Sequence, residues 1–574
     1  MTLVQLRRLA PVLAASLLAA PLAAQTAPAG IDPAWPLAGT ARVTEGAHAM
    51  VVSGSPIASE VGRAVLQRGG NAVDAAVAVG FALAVVHPEA GNIGGGGFMV
   101  IRTLDGQVRA LDYRETAPAR GTRDMYVDHR GEPTELSITG ALASGVPGAV
   151  AGLLEAHRRY GRLPLRAVIE PAVRLARLGF VVDSARSHSI DSDRERLYLF
   201  SASRAQFLPA GRAPAIGTRL RQPDLARTLG LIRDRGAAGF YRGRTAGLIV
   251  AEMARSGGLI SRADLAGYRA RWREPISIRY RGYTIYSMPP ASSGGVTMAE
   301  ILNIMEGFGP LPPFGSPALL HRESEAMRRA FMDRNVYLGD PAFVQMPIAR
   351  LVSKEHAESL RRQIDPLHAT ATPKFETATR EGGSTTHYSV VDALGNAVSC
   401  TTTLNNSYGS AVTVAGAGFL LNDEMDDFAT APGKPNMYGL VQGEANAVQP
   451  GKRMLSAMTP SVVLDPEGRL FMVVGTPGGP RIITMVYHVI SNVIDHRMRL
   501  ADAVTAPRLH HQALPDTLRV ERGGFLPAVL DSLRALGHTV VPWGRQGDIA
   551  AIIRTATGWQ GVTDPRRGGG GAGY

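Results

Sequence analysis

Apolar residues occupy nearly every position of "NAVDAAVAVGFALAVV", and that saturation predicts a helix over Ala72–Val86 buried on all sides. Asn71 is placed to cap it, and Pro88 to end it. The helix is too short for a membrane span and carries Asp74. A partner helix precedes it, with Ser55 as its cap, Pro56 at its first position and Gly69-Gly70 at its end. After the pair, "GNIGGGGFMVIRTLDGQVRALDYRETAP" opens from glycine into a hairpin turning at Asp105-Gly106. The glycine run lacks the Lys-Ser/Thr of a phosphate loop and leads into a strand, so close packing of backbone between layers explains it better. Residues 145–360 are mostly helical in pattern, as in "AVAGLLEAHRRYG" and "PALLHRESEAMRRAFMDRNVYLGD".

The pattern then changes. Residues 364–384 are polar, rich in Thr, Ala and Pro, and end in Gly-Gly-Ser, which reads as an accessible loop. Beyond it "HYSVVD" alternates as a strand, "ALGN" turns, and "AVSCTTTL" is its partner. Another strand pair, "SVVLDPEGRLFMVV", and a helix, "RIITMVYHVISNVIDH", follow. Strand pairs and helices in this order suggest α and β layers packed on one another. The closing "GGGGAGY" is low in complexity and is expected to be mobile.

Composition narrows the class. A chain of 574 residues, 45% hydrophobic and 19% charged, is globular, with several domains or one continuous layered core. Its net charge of +12 is almost wholly arginine, with lysine only at Lys354, Lys374, Lys434 and Lys452. These charges are scattered among Asp and Glu and aromatics are only 6%, which argues against a nucleic-acid partner. Arg7 and Arg8 precede a short alanine-rich apolar run, and Ala23-Ala24 offer a cleavage site before Gln25. Residues 1–24 are therefore expected to be a signal peptide that leaves no stable membrane anchor, and the mature protein to be periplasmic or secreted. The lone Cys400 forms no internal disulfide.

Among candidate chemistries, His48, His87, His387 and His510-His511 lack any zinc-binding spacing, no GxSxG elbow occurs, and "SSGG" at Ser292 reads more simply as a turn. Thr385 stands apart because it follows the Gly-Gly-Ser loop at the mouth of a strand. A threonine hydroxyl needs an adjacent base to attack. A cut between Ser384 and Thr385 would place a free α-amine, with a pKa of about 7.7–8.0, on the same residue. From Thr385-Thr386 alone, an ordinary strand start is the better explanation of the pair.

The surroundings add a resemblance. "TTHYSVVD", "TTTLNNSYGS", "GFLLNDEMDDF", "PGKPNMYGL", "GEANAVQPGKRMLSAMTPS" and "GTPGGPRII" resemble the γ-glutamyltransferases (γ-glutamyltranspeptidases). So do "GGNAVDAAVA", "GNIGGGGFMV", "LDYRETAP", "SGVPG" and the closing "DPRRGGGGAGY", in the family's order from about residue 46 onward. The resemblance implies an α+β N-terminal-nucleophile hydrolase, a four-layer αββα sandwich made as a proenzyme. Self-cleavage would give a large subunit, residues 25–384, and a small one, residues 385–574. It also implies transfer of a γ-glutamyl group from glutathione and related amides to water, amino acids or dipeptides, with no cofactor and no metal.

Residue roles follow from the same resemblance. Thr385 would be nucleophile and, through its freed amine, base, with Thr403 steadying it. Gly478 and Gly479 would aim backbone N–H groups at the oxyanion. Arg114 would grip the substrate α-carboxylate bidentately, with Ser456 adding a hydroxyl. Glu424 and Asp427 would accept from the α-ammonium, helped by Asn405, and Tyr438 would screen the site from a lid loop. The family commonly has two adjacent serines where this chain has Ser456-Ala457, leaving a backbone N–H in place of one hydroxyl. Two other functions fit parts of the pattern: an acylase for glutaryl-type side chains, as in cephalosporins, and a non-catalytic exported solute-binding protein.

Overall fold

Two seven-stranded antiparallel sheets lie face to face between two helix layers in the computed structural model, which describes residues 30–372 and 385–574. The front sheet runs Gly570–Gly573, Met50–Ser53, Thr385–Val391, Ala397–Thr403, Gly96–Arg102, Val108–Asp112 and Arg271–Arg273. The back sheet runs Arg42–Gly46, Trp559–Thr563, Ala550–Arg554, Leu470–Val474, Ser461–Leu464, Tyr283–Ser287 and Ile276–Tyr280. This is the αββα sandwich. The expected signal peptide and Ser384 lie outside the described residues.

The layers follow from the two-residue period of a strand. Val51, Met99, Ile101, Tyr388 and Val390 face the helix layer built on Ala72–Val86. Their neighbours Met50, Val52, Phe98 and Val100 face the back sheet and pack with Ile285, Val462 and Val473. Helices Gly294–Glu306, Pro317–Tyr337 and Arg481–Ile494 close the other side of the back sheet. Ala72–Val86 is buried at every position, and Asn71 caps it in a reciprocal box with Asp74. Ser55 stands at the start of Pro56–Gln67 but makes no capping side-chain bond.

Three expectations change. Within residues 145–360, Ile276–Tyr280 and Tyr283–Ser287 are strands of the back sheet rather than helix. "SSGG" is not a plain turn: Ser293 precedes the helix Gly294–Glu306, and its hydroxyl donates to the Ser456 carbonyl at 2.7 Å. The tail is ordered, because Gly570–Gly573 pairs with Met50–Ser53 at the edge of the front sheet. Low complexity here reflects close approach: a Cβ on Gly571 would stand 2.7 Å from Thr44 Oγ1, and one on Gly573 2.6 Å from Met50 Cε.

Both sheets interleave strands from the two sides of residue 384. Thr385–Val391 and Ala397–Thr403 lie between Met50–Ser53 and Gly96–Arg102. Deleting residues 570–574 is expected to expose a sheet edge, lower the thermal unfolding midpoint by several degrees and increase aggregation. Calorimetry of the truncated protein checks this, and an unchanged midpoint would contradict it.

Candidate active site

Strand pairing sets the first element of the site. Thr385 lies opposite Thr403 in the ladder, and their Oγ1 atoms are 3.1 Å apart. The Thr403 hydroxyl also accepts from the Asn405 N–H at 2.9 Å, which fixes its lone pairs. Strand alternation sends Thr386 to the other face, where its hydroxyl packs beside Gly54. Of the two threonines, only Thr385 lines the pocket at this sheet end. His387, on the same face as Thr385, is satisfied by Thr401 Oγ1 and Ser389 Oγ, and burial lowers its pKa to about 3.

A buried charge cluster forms the pocket's second element. Arg114 follows the strand Val108–Asp112 and is fully buried. Its guanidinium pairs with Glu424 and with Asp427, and its Nε donates to the Met454 carbonyl at 3.3 Å. Glu115 Oε2 lies 3.9 Å from the same guanidinium, and neither Glu115 oxygen has a hydrogen-bond partner. Burial works against the Arg114 charge, but Glu424, Asp427 and Glu115 hold its pKa above the ordinary arginine value. Burial, then the like charge of Glu424, drives Glu115 well above the ordinary carboxyl range. Burial pushes Glu424 up, against the pull of Arg114. One guanidinium faces three acids, and burial with the like charge of Glu424 favours the protonated form of the unpartnered Glu115. Glu424 Oε2 is a second buried acceptor without a partner.

The glycine and asparagine motifs hold this cluster in place. Asn422 accepts from the N–H groups of Gly145 and Glu424, and donates to the carbonyls of Gly94 and Gly145. A Cβ on Gly94 would come within 2.0 Å of the Leu420 carbonyl, so the glycine run is the condition for that approach. Asn446 links the acidic turn to the serine loop, donating to the Asp427 carbonyl at 2.7 Å and accepting from Leu455 N at 2.9 Å. Ser456 Oγ accepts from Met458 N at 3.1 Å, and Ala457 lines the pocket beside it.

Tyr438 lines the same pocket as the hydroxyl pair. It is buried, and its hydroxyl lies 3.0 Å from both the carbonyl and Oδ1 of Asn405. Its ring lies against Gly479, where a Cβ would meet Tyr438 Cε1 at 3.0 Å. Gly479 has φ +59° and lines the pocket, whereas Gly478, at φ +142°, stands behind it near Met485. Both directly precede the helix Arg481–Ile494, whose positive end adds to a local preference for anions.

The pocket thus gathers Thr385, Thr403, Arg114, Asn405, Glu424, Asp427, Ser456, Tyr438 and Gly479, with Gly478 adjacent. Two relations differ from those expected. Arg114 is paired with Glu424 and Asp427 rather than standing apart from them, and the Asn405 side chain is engaged by Tyr438 and by the Asp423 carbonyl at 3.0 Å. Glu115 and Arg334 were not singled out from the sequence. Arg334 lines the pocket, donates to Ser293 Oγ at 3.0 Å, and is lowered by burial to about 10, an effect Asp427 opposes. Its signal was hidden in a helix with several arginines.

Known proteins identify the family. The family model for gamma-glutamyltranspeptidase matches residues 58–574. The glutathione hydrolase proenzyme of Escherichia coli K12 is 47% identical over 524 residues, covering 90% of each chain. The crystal structure of cephalosporin acylase from Bacillus halodurans superposes with a TM-score of 0.83 at 29% identity, covering 93% of this chain and 97% of that one. The Helicobacter pylori gamma-glutamyltranspeptidase structure is 45% identical with a TM-score of 0.54, over 55% of this chain and 91% of that one. Extent of match, identity and fold together place the chain in the γ-glutamyltranspeptidase family.

Proposed function

We propose that this protein is an exported γ-glutamyltransferase and glutathione hydrolase that matures by cutting itself between Ser384 and Thr385. The observation that carries the reading is that the Thr385–Thr403 hydroxyl pair and the Arg114–Glu424–Asp427 cluster line one pocket. The signal peptide assigned to residues 1–24 would deliver the chain to the periplasm or beyond.

In the proposed reaction the Thr385 α-amine takes the proton of its own hydroxyl as Oγ1 attacks the γ-carbonyl of a donor such as glutathione. The negative charge that develops on the carbonyl oxygen meets N–H groups from the Gly478-Gly479 turn. Collapse breaks the amide bond, the leaving amine takes the proton, and a γ-glutamyl ester remains on Thr385. Water, an amino acid or a dipeptide then attacks the ester and restores the hydroxyl. Thr403 orients the nucleophile, and Tyr438 keeps bulk water from the ester.

Donor recognition follows from charge. The α-carbon end of a γ-glutamyl donor carries one carboxylate and one ammonium. Entering the cluster, it exchanges protein–protein ion pairs for protein–ligand ones: its carboxylate meets Arg114 and Ser456, and its ammonium meets Asp427 and the free Glu424 Oε2. The net buried charge is unchanged, because the donor brings one charge of each sign. A glutaryl group brings only a carboxylate to a site already rich in acids, so its entry leaves negative charge uncompensated. That contrast favours the transferase over the acylase reading, although the Bacillus halodurans relative is a cephalosporin acylase.

Purified protein is expected to run as two fragments on a denaturing gel, the smaller beginning at Thr385, while Thr385→Ala remains one chain. A wild type that stays uncut would defeat transferase and acylase alike. Release from γ-glutamyl anilide should exceed release from glutaryl anilide; the reverse order selects the acylase.

Arg114→Ala should raise KM for γ-glutamyl donors by two orders of magnitude or more, since an unpaired buried partner costs about 3–5 kcal/mol. Its self-cleavage should remain intact, and a block in maturation would make Arg114 structural. Glu115→Gln, which mimics the protonated acid, should change KM by less than about threefold at neutral pH. A large loss in that variant would mean that Glu115 is ionised.

A further inference from the structure

Helices Gly294–Glu306, Pro317–Tyr337 and Lys354–Arg361 pack together on the outer side of the back sheet. Each contributes one ligand-type side chain to a common point: Glu300, Asp333 and His356. One donor atom from each lies within 4.8 Å of the other two. The His356 Nε2 to Asp333 Oδ2 distance is 2.6 Å. Glu300 is buried to 1% exposure, and its Oε2 has no hydrogen-bond partner. Burial and the charge of Asp333 raise its pKa well above the ordinary value, and the opposing charge of Arg350 does not cancel this.

An acid set into a helix interface beside another acid, with an oxygen left unsatisfied, is costly unless something compensates it. A divalent cation supplies that compensation. We propose that Glu300, Asp333 and His356 form a metal site that staples the three helices together. One imidazole and two carboxylates form a mixed nitrogen–oxygen set suited to zinc or a similar transition ion rather than to calcium, which takes six to eight oxygens. Zinc ligands lie about 2.0–2.2 Å from the metal, so donor atoms in a tetrahedral site stand about 3.3–3.6 Å apart. Binding would require the donor atoms to move to that spacing, with the His356–Asp333 pair opening to admit the ion. Asp333 and His356 are 18% and 10% exposed in their side chains, so the site is within reach of solvent, which would supply a fourth ligand. Binding releases any proton that Glu300 holds. The site stands apart from the pocket described above, and its role is to hold helices. Asp333 nevertheless precedes the pocket residue Arg334 on the same helix.

The test uses the processed protein, stripped with chelator and titrated with zinc chloride, with calcium chloride as the second probe. Calorimetry and elemental analysis after desalting should give one zinc per molecule and no retained calcium, and zinc should raise the unfolding midpoint. Glu300→Gln, close in shape, and His356→Ala should each weaken zinc binding at least tenfold and abolish the rise. Cobalt substituted into the parent protein should show the visible bands of a four- or five-coordinate ion, a readout that holds even if a variant fails to fold. No stoichiometric zinc in the parent, retention of calcium in its place, or zinc binding undiminished in both variants would overturn the proposal.

Discussion

The site depends first on the antiparallel register that sets Thr385 against Thr403. A shift of one residue would bring Thr386 to the pocket side and turn Thr385 toward the helix layer. Several features hold the register. The two strands are buried along their full length at the centre of the front sheet, between Met50–Ser53 and Gly96–Arg102. Their alternate side chains enter two different cores, so slippage would misplace both sets at once. Asn92 adds a fixed point at the strand end by donating to the Thr403 carbonyl at 2.8 Å.

The charge cluster is built on that frame. Arg114 leaves the same sheet two strands away, and the acidic turn is tied to the glycine run through Asn422. A buried guanidinium with two carboxylates is stable but contributes little net stability over an apolar core. In the proposed reading it is a pre-formed complement to a zwitterion, because its paired charges match both ends of such a group. Ala457 leaves this ionic arrangement intact and removes only one neutral hydroxyl from its rim.

Much of this was legible in the sequence where the physical signal is local. The saturated apolar helix Ala72–Val86, its Asn71 cap, the Asp105-Gly106 hairpin and the strand pair around "ALGN" each state their structure within a dozen residues. The motif series located the pocket because its members fold onto one another. Less legible was what distance in sequence conceals. Short strands at Ile276–Tyr280 and Tyr283–Ser287 form a hairpin inside helical surroundings, and only the second pairs onward with Ser461–Leu464, far along the chain. The glycine tail carries no side-chain pattern, yet main-chain bonding to Met50–Ser53 and tight contacts order it. Arg334, Glu115 and the Glu300–Asp333–His356 trio are ordinary charged residues until tertiary packing buries them together.

The interleaving of strands from both sides of residue 384 has a consequence for the life of the folded molecule. Before the proposed cut, unfolding and refolding concern one covalent chain, and the search for partners is internal. Afterwards the same fold is shared between two molecules whose strands alternate within each sheet, so neither holds a complete core alone. Separation then requires unfolding, and recovery becomes a second-order encounter of two incomplete pieces. Maturation would therefore leave a protein whose persistence is set by the rate at which it unfolds, and no longer by its ability to fold again.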